Sequence, residues 1–267
     1  MFEIDTSLPW TEHLVSYGFA VRPGLIDRQW CAAAVAAMRS VLDDQRPLTE
    51  WTVDDPGTRY TVFYQGEQPD LDSVYDQGPL VDALDELFGD RGARYASADP
   101  SNPQRRHHAF WLKPYDPAGR RRPTALGHID SGSPWRGLAV YVALADSEPW
   151  GGNTILFPGT HLLGHERMLT DPPADFAGGM ASDIPQPYPP YEFVARAGDV
   201  AFVHHLTYHT GVDNSADGRS PRMAVRLEAF ARRPLIDLDP GRVAAPWEQS
   251  FRVTKPTGLP PGHLATL

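Results

Sequence analysis

The chain has 267 residues, enough for one large domain or two small ones at roughly 100–200 residues each. Hydrophobic residues make up 41% and charged residues 22%, a globular balance, and 24 basic against 34 acidic side chains leave a net charge of −10, which disfavours general nucleic-acid binding. The longest apolar runs, Trp30 to Met38 and Gly137 to Ala145, fall far short of the ~20 residues that cross a bilayer.

The N-terminus, MFEIDTSLPW, has no basic region followed by an apolar run, so no signal peptide is expected. With Cys31 as the single cysteine, a disulfide framework and any cysteine-built zinc or iron–sulfur site are excluded, and a cytoplasmic protein is the expectation. Tyr17 to Arg22 is a short strand candidate closed by Pro23-Gly24. Asp27 is placed to cap a helix, its carboxylate accepting from amides two or three residues on. Trp30, Ala34, Met38, Val41 and Leu42 then recur at helical spacing and predict an amphipathic helix to about Asp43. A second helix is predicted from Pro79, suited to a first turn, to Phe88, with Gly89 as its terminator.

From about residue 105 the pattern turns to β. Short runs rich in Val, Tyr, Phe and Leu alternate with turn clusters: His107 to Leu112, Leu126 to Asp130, Gly137 to Ala143, Thr154 to Phe157, Tyr191 to Ala195, Val200 to Thr207 and Arg222 to Phe230. A Pro/Gly/Asp-rich stretch from Leu169 to Pro190 is expected to act as a loop or lid. Proline, 27 of 267 residues, is about twice as frequent as usual and favours loops and edge strands. These patterns predict a single domain over 1–267: a helical N-terminal part to about 104, an antiparallel sandwich or barrel over about 105–233, and a Pro-rich tail over 234–267.

Ten histidines, six of them between residues 128 and 209, concentrate the candidate chemistry. In His128-Ile129-Asp130 a strand would point the imidazole and the carboxylate to one side and Ile129 to the other. Such a pair supplies two of the three ligands of a facial iron site; a His hydrogen-bonded to a neighbouring Asp looks the same. The third ligand must come from a distant strand, and the run after Gly198-Asp199 offers His204, His205 and His209. On a continuing strand His205 would face away from His204, and a hydrogen-bonded core role is the alternative for each. Along Arg222 to Phe230, Met223, Val225, Leu227 and Ala229 form one face, and Arg222, Ala224, Arg226, Glu228 and Phe230 the other. If both faces are covered, the guanidinium groups need anions. Glu228 can serve one arginine, leaving the other for a carboxylate ligand; a solvent-facing strand face is the alternative.

Together these residues resemble the phytanoyl-CoA dioxygenase-like family of iron(II)- and 2-oxoglutarate-dependent oxygenases. The resemblance runs from Tyr17 to about Phe230 and rests on three blocks. These are His128-Ile-Asp130; Gly151-Gly-Asn-Thr-Ile-Leu-Phe-Pro-Gly-Thr-His161; and Gly198-Asp199 with His204, His209-Thr-Gly-Val-Asp-Asn214 and Arg222-Met-Ala-Val. It implies a mainly β fold with flanking α-helices, a double-stranded β-helix of the cupin-like jelly-roll type, with Fe(II), 2-oxoglutarate and O2 as cofactor and co-substrates. By the same resemblance His128, Asp130 and His209 are the metal ligands, and Arg222, before an x-Ala-aliphatic run, is the co-substrate arginine rather than Arg219 or Arg226. Tyr141 stands where some members carry a Trp near the co-substrate. Gly211 stands where the family often has a Ser or Thr that shares the co-substrate carboxylate, with Thr210 adjacent to it. Two more residues than the family pattern separate His209 from Arg222, and Gly151 replaces a frequent Asn.

The implied activity couples decarboxylation of 2-oxoglutarate to oxidation of a C–H bond, typically a hydroxylation, in a small molecule of bacterial secondary metabolism. Asp130 argues against halogenation, because the related halogenases lack this carboxylate. His108 and Trp111, with Trp135 and Arg136, are candidates to line a substrate pocket. Arg105-Arg106 and Arg120-Arg121-Arg122 could bind a phosphate or carboxylate or be solvated charges beside a turn. His204 is expected to be structural, and Arg226 to pair with Glu228 or with substrate. Two other classes stay open: a non-catalytic small-molecule-binding jelly roll, and a zinc hydrolase, for which no general base or nucleophile motif is evident.

Overall fold

A computed structural model describes residues 2–5, 7–43, 49–50, 59–64, 68–88, 93–95, 107–119, 127–130, 137–163, 188–218 and 220–231. Helix α1 (Trp10–Tyr17) ends at Gly18, whose φ of 82° lets its N–H reach the Leu14 carbonyl at 2.8 Å. A side chain at Gly18 would also strike His161 and Thr207, so glycine is required twice over. Strand β1 (Phe19–Arg22) follows, then α2 (Arg28–Asp43). Asp27 caps α2 as its sequence predicts, with Oδ1 accepting the Gln29 N–H at 2.6 Å. Next come β2 (Thr49–Glu50), β3 (Arg59–Tyr64), α3 (Pro69–Asp72), a 3-10 turn (Ser73–Asp76), α4 (Gly78–Phe88) and β4 (Ala93–Tyr95). The later strands are β5 (His107–Lys113), β6 (Gly137–Ala143), β7 (Thr154–Leu156), β8 (Tyr191–Glu192), β9 (Val200–His204), β10 (His209–Gly211) and β11 (Arg222–Ala231).

All strand pairs are antiparallel. An eight-stranded sheet has the order β1-β9-β6-β11-β5-β3-β2, with β4 paired to the end of β11 beyond β5, and a three-stranded sheet has the order β10-β7-β8. Alternation divides the large sheet into two faces. Leu138, Val140 and Val142 of β6, Phe202 of β9, and Met223, Val225 and Leu227 of β11 pack in one apolar cluster with Cys31, Ala34 and Met38 of α2 and Leu80, Leu84 and Leu87 of α4. The interleaved Ala139, Tyr141 and Ala143 of β6 and Ala201 and Val203 of β9 pack instead with Leu156 of β7 and with Phe193. The small sheet therefore covers the inner face of the large one, and helices cover its outer face. The fold is mainly β with flanking helices, of the jelly-roll kind.

Four expectations need correction. The β region does not begin at 105: the strand expected before Pro23 forms as β1 and joins the large sheet together with β2, β3 and β4, of which β2 and β4 have three residues or fewer, too short to show alternation. The run Val200 to Thr207 is not one strand, because β9 stops at His204 and the chain crosses to the small sheet at β10. Around His128 only an isolated bridge to His209 forms, among the described residues 127–130. The β pairing expected from Tyr191 to Ala195 is limited to Tyr191 and Glu192. Gly89, most of the stretch 169–190, Trp135, Arg136, Arg105-Arg106, Arg120 to Arg122 and the tail 234–267 lie outside the described residues. Among the described residues no helix is long and apolar enough to cross a membrane.

Candidate active site

The crossing between sheets builds the site. At the end of β9, His204 accepts the Leu206 N–H on Nδ1 at 3.1 Å and the Thr207 N–H on its carbonyl at 2.8 Å, closing a tight turn. His209 opens β10 just beyond. The His128–Asp130 stretch is stitched to both sides of this turn. His128 and His209 exchange two backbone hydrogen bonds, 2.8 and 2.9 Å, and the Asp130 N–H donates to the His205 carbonyl at 2.9 Å. The Gly-Thr-His block braces the same turn. Thr160 Oγ1 accepts the Tyr208 N–H at 3.0 Å, and His161 Nε2 donates to the Val15 carbonyl at 2.8 Å.

Three side chains thereby converge. One donor atom each from His128, Asp130 and His209 lies within 4.8 Å of the others, and Asp130 Oδ1 is 3.9 Å from both His128 Nε2 and His209 Nε2. Nδ1 of His209 donates to the Thr207 carbonyl at 2.9 Å, which turns the Nε2 lone pair toward this centre. The neighbouring His209 ring, then burial, push His128 down to about 3 against the pull of Asp130, so its imidazole is neutral at ordinary pH. Burial alone would raise the Asp130 carboxyl, but Arg226 and the imidazoles outweigh it and hold the group well below the usual carboxylate range. Two imidazole nitrogens and one carboxylate aimed at one point are the donors an iron(II) centre takes, and the residues fit that ion.

The inner face of β11 lies opposite. Arg226 Nη2 is 3.0 Å from Asp130 Oδ2, an ion pair whose angles are not those of a directed hydrogen bond, and Nη1 donates to Glu228 Oε1 at 2.7 Å. Burial opposes the Arg226 charge, yet Asp130, Tyr141 and Glu228 raise its pKa further. Arg222 donates to Thr154 Oγ1 of β7 at 3.0 Å, spanning the gap between the two sheets. The Tyr141 hydroxyl, 3.5 Å from His209 Nε2, is pushed by burial up to about 12 and stays protonated.

Of the residues singled out in sequence, His128, Asp130, His209 and Tyr141 are brought together, and Arg222 projects from the same inner face of β11 as Arg226. Thr210 is not placed with them: it pairs with Ile155 and alternates to the opposite face of the small sheet from His209. His205 does not follow the parity argument, because β9 has ended; its buried ring lies within electrostatic reach of Asp130, Glu228 and Arg226 but is not one of the three converging donors. His108 and Trp111 sit on β5 in register with Leu227 and Ala224 of β11. Sequence reasoning missed Thr154 and the contact of Arg226 with Asp130. A hydroxyl opening an otherwise apolar strand was the available signal for the first; the second had none.

A family model for phytanoyl-CoA dioxygenase (PhyH) matches residues 14–224. The chain belongs to that family. It is accordingly an oxidoreductase of the 2-oxoglutarate-dependent dioxygenase class. No curated protein matches the chain. Among solved structures, the epimerase SnoN in complex with Fe3+, alpha-ketoglutarate and nogalamycin RO is 21% identical, with a TM-score of 0.64 over 89% of this chain and 91% of SnoN. The alpha-ketoglutarate-dependent carbocyclase SnoK from nogalamycin biosynthesis is 21% identical, with a TM-score of 0.60 over 99% of this chain and 91% of SnoK. HygX from Streptomyces hygroscopicus, with nickel and 2-oxoglutarate bound, is 13% identical, with a TM-score of 0.56 over 91% of this chain and 95% of HygX. These likenesses establish the shared fold.

Proposed function

We propose that this member of the phytanoyl-CoA dioxygenase family oxidises a C–H bond of a small natural-product molecule, with His128, Asp130 and His209 holding Fe(II) and Arg222 binding 2-oxoglutarate. The convergence of the three donor atoms, with Arg222 on the inner face of β11, carries this reading. When bound, the iron supplies the redox chemistry that couples decarboxylation of 2-oxoglutarate to oxidation of substrate. The residues do the rest. His128 and His209 present their Nε2 atoms, and Asp130 adds one negative charge. With only three protein donors, a bound iron would keep room for co-substrates. Arg222 offers a planar fork to the distal carboxylate of the 2-oxo acid. Thr154 Oγ1 accepts from Arg222 and keeps its own proton for a further acceptor beside it. Tyr141, neutral and buried, supplies a hydroxyl donor next to His209.

The natural-product context of SnoN and SnoK supports a small-molecule substrate. Succinate formation from 2-oxoglutarate, with and without Fe(II), tests the reading. It should require the metal and fall to background in His209→Ala, with metal content lost in parallel. Iron-independent turnover, or full metal content in that variant, would sink it.

A further inference from the structure

We infer that Arg226 is a positioning residue that holds the outer oxygen of Asp130, so that the carboxylate offers a single oxygen to the metal; this rests on the metal-site reading above. The two oxygens of Asp130 are divided between neighbours. Oδ1 lies 3.9 Å from each of His128 Nε2 and His209 Nε2, and Oδ2 lies 3.0 Å from Arg226 Nη2. The Asp130 backbone is also tied down, its N–H donating to the His205 carbonyl. Arg226 itself has little freedom. It sits mid-strand on β11, paired with Tyr141 of β6 on one side and Ala109 of β5 on the other, and Glu228 accepts from its second nitrogen at 2.7 Å. A guanidinium engaged by two carboxylates is not open to grip a co-substrate.

With one oxygen from Asp130 and two imidazole nitrogens holding it, a bound iron would keep room for a 2-oxo acid and O2. A carboxylate using both oxygens would take up part of that room. Arg226 commits Oδ2 elsewhere and fixes the direction of Oδ1, the part that outer partners of metal ligands commonly play.

Co(II) titration of the full chain, followed by its visible absorption at a temperature where circular dichroism shows each variant folded, tests this without reference to turnover. Arg226→Gln should weaken Co(II) binding by about 10–100-fold and alter the absorption envelope. Arg226→Lys keeps a cation but loses the fork that spans two acids, and should fall between, about three- to tenfold weaker; it decides the matter if Arg226→Gln does not fold. Glu228→Gln leaves Arg226 on Asp130 and should stay within about threefold of the parent. Either arginine variant, folded and binding Co(II) as tightly as the parent or more tightly, overturns the inference. So does a Glu228→Gln loss as large as that of Arg226→Gln. Asp130→Asn and His209→Ala, titrated alongside, separate the two levels: retained Co(II) binding in those variants overturns the metal-site reading itself.

Discussion

On β11, Met223, Val225, Leu227 and Ala229 bury against the helices, whereas the interleaved Arg222, Arg226 and Glu228 face the three-stranded sheet. The two faces share a backbone and differ in everything else. The outer face is closed by apolar side chains whose burial contributes about 1.5–3 kcal/mol each for the larger ones. The inner face carries charged groups that would be costly there alone and are tolerated because each has a partner: Arg226 with Asp130 and Glu228, Arg222 with Thr154. A single strand can thus anchor a core and present a reactive surface, because alternation keeps the two from mixing.

Variants can break that division of labour. The largest effect is expected inside. Asp130→Ala or His209→Ala should abolish bound metal and reduce succinate formation to background, read by elemental analysis and product assay, while the folded spectrum persists. Outside, Leu227→Ala should cost about 2–5 kcal/mol in urea unfolding, the usual range for a fully buried leucine, yet leave turnover per folded molecule within about twofold. Loss of turnover without loss of stability would show that the faces are not independent. Arg222→Ala removes a charged hydrogen-bond donor worth about 1.5–3 kcal/mol, so the apparent KM for 2-oxoglutarate should rise about 10–100-fold with a small change in melting temperature. An unchanged KM would reassign the co-substrate arginine.

The smallest effect concerns pH. His128 is depressed to about 3 in the folded protein, so between its unfolded value near 6.5 and about 3 the unfolded chain binds the extra proton. Stability of the metal-free protein should therefore be intact above about pH 6.5 and decline on acidification below it. The His128 side chain is 41% exposed, so solvent screening keeps the slope shallow. His128→Gln should flatten the slope in melting curves taken across this range; an unaltered slope would assign it to other groups.

The legible parts of the site were those encoded by local geometry. His128 and Asp130 stand two residues apart, and the polar face of Arg222, Arg226 and Glu228 follows from alternation. Choosing among His204, His205 and His209 was beyond parity, because β9 ends at His204 in a turn held by Leu206 and Thr207, and resemblance to the family singled out His209 instead. Thr210 was chosen as a neighbour of Gly211. Strand register turns it to the far face and places Thr154, the cross-strand partner of Gly211, beside Arg222. Short strands such as β2 and β4 left no pattern of their own and exist by pairing with β3 and β11.

By itself the sequence determined the mainly β character, the capped helix after Asp27, the two-faced β11 and the residue types able to hold a metal. These depend on periodicity and on contacts within a few residues. Only the tertiary structure decided which residues meet: that β10 leaves the sheet containing β9, that His128 is bonded to His209, that Arg222 reaches Thr154, and that Asp130 divides its oxygens between the imidazoles and Arg226. Those pairings join segments far apart in the chain. They are set when two sheets pack and the polar groups of the inner face meet their partners, and no local pattern records that outcome.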